Sequence, residues 1–186
     1  GIVALPEDAG ALESCIHSKS RNLVRKARKG GVVVEVDAGV DTLLPLLDAS
    51  FLRSGLEPRD PSYIRRAWKT LGCEVLVARS EDRPVAALMW QPFGNTGRYL
   101  FHGRTDGDTG GASNLLLFEM FRRGHERGVR SFHAGDVALP GETDERILGI
   151  THFKVRMGFE VVRTIEAHRV LRAVGKAVRD TALGVW

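Results

Sequence analysis

Asp106-Gly107-Asp108-Thr109-Gly110-Gly111-Ala112-Ser113-Asn114-Leu115-Leu116-Leu117-Phe118-Glu119 is the stretch on which the fold turns. A glycine-rich loop runs into an amphipathic helix predicted over 114–127, and Gly128 closes it. Upstream, residues 97–104 read as a strand. Downstream, residues 131–135 read as another. A second helix follows at 145–156, and a strand begins at 159–162 and continues irregularly to 170. A terminal helix is predicted over 172–183. Strand–helix–strand–helix–strand is an α/β order.

Working toward the amino terminus, residues 74–79 and 85–91 form a hairpin across the turn Glu81-Asp82-Arg83-Pro84. Residues 61–71 read as a helix with Pro61 at its start. Residues 40–54 carry apolar side chains at 43, 44, 47 and 51, which is helical spacing. The β-branched run Val32-Val33-Val34-Glu35-Val36 is a strand. Residues 8–28 read as a helical hairpin or a broken helix, stopped by Gly30-Gly31. The segments divide into linking helices with a basic stripe (1–31), a main α/β domain (32–171) and a C-terminal helix (172–186).

The chain has 186 residues, 43% apolar and 27% charged, which excludes disordered and fibrous classes. No apolar run approaches the roughly 20 residues of a membrane-spanning helix. Lys and Arg number 27 against 23 Asp and Glu, a formal charge of +4. That balance permits an anionic partner without demanding one. Cys15 and Cys73 form neither a C-x-x-C pair nor a metal-finger spacing, so a reduced cytoplasmic setting is expected. None of the six histidines has a metal-site spacing, and no metal is expected.

Three segments carry possible chemistry. The first is the loop Gly110, Gly111, Ala112, Ser113 and Asn114 at a helix N-terminus, where backbone N–H groups and the helix dipole suit an anion. Asp106 and Asp108 oppose that use, and the alternative is a turn with Ser113 as N-cap. The second is a basic run in which Arg21, Arg25 and Arg28 share one helix side, as do Lys26 and Lys29. It reads either as a track for phosphates or as a solvated face. The third is Phe153-Lys154 ahead of Gly158-Phe159. A lysine one turn before a helix end stabilises negative charge if it faces a cleft; spacing alone reads it as a surface lysine. His102 on its strand, and Asp136 after a strand end, complete the candidates for proton traffic or acceptor contacts.

Taken in order, these segments resemble the GNAT acyltransferase fold, and within it the Fem branch of FemABX-like, aminoacyl-tRNA-dependent transferases. Residues 18–32, from Ser18-Lys19-Ser20-Arg21 to Lys29-Gly30-Gly31-Val32, are similar to that family's R-x-x-I-R-K-A-x-K-x-G-V stretch. Gly111-Ala112-Ser113-Asn114-Leu115-Leu116-Leu117 followed by Phe132-His133-Ala134-Gly135 is similar to its A-S-N-x-L-L-W helix and F-D-x-G-G strand end. Phe153-Lys154 with Gly158-Phe159 is similar to its F-K-x-x-F-G element. The Q/R-x-x-G-x-G/A motif by which ordinary GNAT enzymes hold the acyl-CoA pyrophosphate is absent, and Lys154 stands where many of them place a tyrosine.

The resemblance implies an α/β GNAT-like fold, with a mixed, mostly antiparallel sheet flanked by helices. It implies transfer from aminoacyl-tRNA to an amine of a peptide, nucleoside or cell-wall precursor. Lys154 and Phe153 would act at the reacting centre, residues 110–114 would form the donor loop, and Arg21, Arg25, Lys26, Arg28 and Lys29 would meet tRNA phosphates. No cofactor is required on that reading. The first alternative is an acyl-CoA-dependent N-acetyltransferase, and the second a non-catalytic domain that binds RNA or a partner. The family's larger members hold two GNAT-like halves, and this chain resembles the C-terminal one.

Overall fold

A computed structural model describes residues 1–106, 110–135 and 137–162. The elements run β1 (Ile2–Ala4), a 3-10 segment (Ala9–Cys15), α1 (Ser18–Lys29), β2 (Val33–Asp37), α2 (Leu43–Arg53), α3 (Pro61–Leu71), β3 (Glu74–Ser80), β4 (Arg83–Phe93), β5 (Thr96–Arg104), α4 (Ala112–Glu126), β6 (Ser131–His133) and α5 (Glu145–Arg156). One six-stranded sheet has the order β1-β6-β5-β4-β3-β2, and β5–β6 is its parallel pair.

Period-two alternation sends the central strands to two cores. Leu76, Ala78, Leu88 and Trp90 face α1 and α4, packing with Val24, Ala27, Leu116 and Met120. Val75, Val77, Ala87 and Met89 face α2 and α3, packing with Leu43, Leu47 and Ile64. Because both faces of β3 and β4 are covered, their sequences read as continuous apolar runs although the pairing is antiparallel.

Of residues 1–31, β1 pairs with β6, and Val3, Leu12, Ile16, Val24 and Ala27 are buried in the same core as α4. One expectation needs correction: the strand predicted from 159 is represented by one isolated bridge, Glu160 to Ile2. Its continuation to 170 and the helix at 172–183 lie outside the described residues.

A half-buried ion pair braces α4 against β3. Arg123 donates to both carboxylate oxygens of Glu74 at 2.6 and 2.9 Å, Arg127 lies 2.9 Å from it, and Trp90 Nε1 donates to it at 3.3 Å. Burial pushes the Glu74 carboxyl up, but the Arg123 hydrogen bonds, the two guanidinium charges and the Trp90 bond outweigh it and hold the carboxyl below its ordinary value. Its stabilising effect is therefore present above the unfolded-state value near 4.5 and is lost as pH falls through the lower folded-state value. Glu74→Gln should cost about 2 kcal/mol at pH 7, because it leaves charge-assisted bonds unmade. Urea midpoints should show the gap to wild type closing as the pH drops below 4.

Candidate active site

Strands β5 and β6 run together for only three residues: Thr96 with Ser131, Gly97 with Phe132, and Arg98 with His133. Beyond His133 the chain stays with the β1 side of the sheet, where Ala134 N donates to Gly1 O at 2.9 Å. Strand β5 meanwhile continues to Arg104, held to α2 because Arg104 N donates to Ser50 Oγ at 3.0 Å. The parallel pair is thus split, and a cleft of about 1180 Å³ opens there. Leu23 of α1 and Ser113 and Asn114 of α4 line it from one layer, and Leu47, Ser50, Phe51 and Arg53 of α2 from the other.

Helix α5 supplies another wall. Asp144 caps it, accepting from Arg146 N at 2.9 Å and from Ile147 N at 3.4 Å. The Arg146 side-chain bond, and then those backbone donors, hold the Asp144 carboxyl below its ordinary value. Thr151 Oγ1 accepts from Ala138 N at 2.7 Å and donates to Ile147 O at 2.9 Å, which fastens the loop after β6 to the helix. Ile147, Ile150, Thr151 and Lys154 all line the cleft, and their spacing is that of one helical stripe.

Lys154 is therefore not a surface lysine. It is 7% exposed and lies in the cleft wall. Phe153 beside it stacks on His102 of β5, with ring centroids 6.3 Å apart and planes 23° apart. Tyr99 follows at 6.4 Å from His102, and burial raises its phenol pKa well above the ordinary value. Lys154, Phe153 and His102 are thus brought together with Tyr99, which the sequence reading missed. Asp136, the fourth candidate, lies outside the described residues.

The glycine-rich loop reaches the same cleft through Gly111, Ser113 and Asn114. Gly111, not Ser113, is the N-cap of α4, and it makes no side-chain cap bond. Ser113 sits inside the first turn and is buried, while Asn114 Nδ2 contacts Met157 Sδ at 3.3 Å, tying α4 to the end of α5. Gly111 has φ +88°, and a Cβ there would stand 2.6 Å from the Leu23 carbonyl oxygen of α1. Its small size is used by the approach of α1.

The basic run is only partly a free face. Arg21 donates to Ile16 O at 2.7 Å, Arg25 pairs with Glu13 at 2.8 Å, and Arg28 pairs with Glu119 at 3.0 Å and lies over the Phe118 ring. These arginines lock α1 to the 3-10 segment and to α4. Lys26 and Lys29 are exposed. None of the five basic residues lines the cleft, although Leu23 between them does.

Three other arginines do line it: Arg53, Arg104 and Arg146. Arg104 had a sequence signal, since it lies two residues beyond His102 on β5 and so on the same face of the strand. Arg53 and Arg146 had none, because their positions depend on where α2 and α5 dock. Among the described residues, no helix is long and apolar enough to cross a membrane, and no cluster of three or more potential metal ligands occurs.

Residues 17–154 match the acetyltransferase (GNAT) domain family. No curated protein matches the chain. The crystal structure of FemX superposes with a TM-score of 0.77 at 14% identity, covering 84% of this chain and 57% of that one. The C-terminal domain of a putative lysylphosphatidylglycerol synthetase from Agrobacterium fabrum gives 0.60 at 18% identity, with 84% and 55% covered. An aminoglycoside acetyltransferase from an uncultured soil metagenomic sample, in complex with sisomicin, gives 0.56 at 13% identity, with 78% and 99% covered. The chain thus spans little more than half the length of the first two. These likenesses establish the fold, an α/β GNAT fold with an open, mostly antiparallel sheet, and the match over residues 17–154 makes the chain a member of the acetyltransferase (GNAT) domain family.

Proposed function

We propose that the chain transfers an aminoacyl group from the ester of an aminoacyl-tRNA onto an amine acceptor. The observation that carries the reading is Lys154, a cation held 7% exposed in the cleft wall beside the Phe153–His102 stack. The acceptor amine attacks the ester carbonyl. The N–C bond forms, the C–O bond to the ribose breaks, and a proton passes from the amine to the departing ribose oxygen. Lys154 opposes the oxyanion of the tetrahedral intermediate, and a donor already in position there is worth about 3–4 kcal/mol. The amide is more stable than the ester, so no further energy source enters. Phe153 and His102 offer flat faces against which a terminal base stacks, and His102, the histidine that lines the cleft among the described residues, relays the proton.

A second reading, transfer from acyl-CoA, is favoured by the α4 N-terminus opening into the same cleft. Titration with acetyl-CoA and, separately, with mixed aminoacyl-tRNA separates the two. Saturable tRNA binding that weakens steeply with salt, without a CoA signal, supports the first. Tight CoA binding without tRNA binding overturns it.

The exposed lysines of α1 supply a finer check. If Lys26 and Lys29 meet tRNA phosphates, the double variant Lys26→Gln/Lys29→Gln should lower the slope of log K against log salt by about 1.5. An unchanged slope would assign α1 a purely structural role.

A further inference from the structure

Strand β5 brings one more polar group to the cleft. Resting on the acyl-transfer reading, we propose that Tyr99 is a catalytic residue, whose phenol O–H protonates the ribose oxygen that leaves the donor ester.

A β-bulge puts Tyr99 there. Positions 99 and 102 are an odd number of residues apart, so a regular strand would point them to opposite faces. Trp90 pairs with Tyr99 but Met89 pairs with Phe101, which leaves Leu100 as an extra residue in β5. Across that bulge Tyr99 and His102 pair with Trp90 and Leu88, which belong to the same face of β4. Bulges of this kind re-aim side chains beside active sites. The rings of Tyr99 and His102 therefore stand together, 6.4 Å between centroids, and His102 stacks on Phe153, the sequence neighbour of Lys154. The Tyr99 ring packs on the core beneath α1 and α4, and the residue also lines the cleft. Among the described residues its hydroxyl makes no hydrogen bond, so the O–H is left for what enters the cleft.

The reaction asks for such a group. An alkoxide is a poor leaving group, and a positioned acid eases its departure by meeting the C–O electron pair with a proton. Lys154 opposes the carbonyl oxygen and must keep its charge. A phenol is neutral when protonated, so burial favours the form that carries the proton and pushes the Tyr99 pKa up. Among the described residues, the titratable and charged side chains that share the cleft with it are His102, Lys154, Arg53, Arg104, Arg146 and Glu142. The N–C bond forms first. As the tetrahedral intermediate collapses, the C–O electron pair goes to the ribose oxygen, which takes the Tyr99 proton. The proton that the nitrogen loses passes to His102 and from there to the phenolate. Both side chains end as they began, and the net movement is one proton from amine to ribose.

The test uses the full chain, mixed aminoacyl-tRNA as donor and hydroxylamine as the amine, with the uncatalysed rate subtracted. Tyr99→Phe should lower kcat by about 10²-fold, the lower end of what a positioned acid supplies, and leave KM nearly unchanged. Phenylalanine keeps the ring and no hydrogen bond is lost, so the urea midpoint should hold. Tyr63 is the one other tyrosine of the sequence, so difluorotyrosine incorporated into Tyr63→Phe protein labels position 99 alone. Fluorine makes the phenol more acidic at nearly the same size. The alkaline limb of kcat, where the phenol must keep its proton, should then move to lower pH, whereas a packing role would leave it in place. This second arm decides the matter if Tyr99→Phe unfolds. Transfer by Tyr99→Phe within about threefold of wild type, a fall confined to KM, or an unmoved alkaline limb would overturn the proposal and leave the donor reading standing. Wild type that transfers from acetyl-CoA and not from aminoacyl-tRNA would overturn the donor reading itself, since no ribose oxygen then leaves.

Discussion

Lys154→Met should lower kcat for acyl transfer by 10²–10³-fold while the protein stays folded. Methionine keeps most of the unbranched stem of lysine, so the packing of α5 against the core survives. What disappears is the ammonium in the cleft wall. Removing one positioned stabiliser of a tetrahedral oxyanion costs about 2.7–4 kcal/mol in the transition state. The ground-state ester carries no full charge for Lys154 to meet, so KM should move far less than kcat. Single-turnover transfer from a preformed aminoacyl donor is the measurement, with the unfolding midpoint beside it. A kcat within threefold of wild type would remove Lys154 from the chemistry. A fall confined to KM would make it a binding residue for the donor. Lys154→Arg should restore only part of the rate, because a planar guanidinium does not place its charge where a compact ammonium sits.

That prediction rests on a burial the sequence did not disclose. Lysine at 154 reads from spacing as a solvated residue near a helix end, and only the resemblance through Phe153-Lys154 and Gly158-Phe159 singled it out. Its burial depends on the docking of α5 against α4 and β5, through Asn114 with Met157 and His102 with Phe153, a long-range event with no local signature. What was legible was periodic: α3 at Pro61–Leu71, the β3–β4 hairpin, and α4 between Gly111 and Gly128. Strand β1 was missed because three residues before a proline carry no period, and its pairing with β6 spans most of the chain. The basic run of α1 was visible as charge, but Glu13 and Glu119, which neutralise two of its arginines, lie 12 and 91 positions away. Charge patterns report what a helix carries, whereas partners depend on docking.

Gly158→Ala should be strongly destabilising, costing upwards of about 3 kcal/mol. Helix α5 ends there in a paired cap, with Phe159 N donating to Lys154 O at 3.1 Å and Gly158 N to Val155 O at 2.9 Å. The cap requires φ +90° at residue 158, which costs a residue with a Cβ about 1–2 kcal/mol. Space is the larger obstacle. The added Cβ would stand 2.1 Å from the carbonyl oxygen of Cys15 and 3.1 Å from its carbon. Those are backbone atoms, so no rotamer change relieves the overlap. The Cys15–His17 segment must shift, yet it is tied back to α5 because His17 N donates to Arg156 O at 2.9 Å. The strain therefore falls on the junction that sets the height of α5, and with it the place of Lys154 in the cleft. Urea unfolding should show a midpoint far below that of wild type, and whatever variant remains folded should transfer acyl groups more slowly. Val155→Ala gives the contrast: its side chain is 47% exposed on the same helix, so losing it should move the midpoint little. Equal midpoints for Gly158→Ala and wild type would mean that α5 and the Cys15 turn are not in contact.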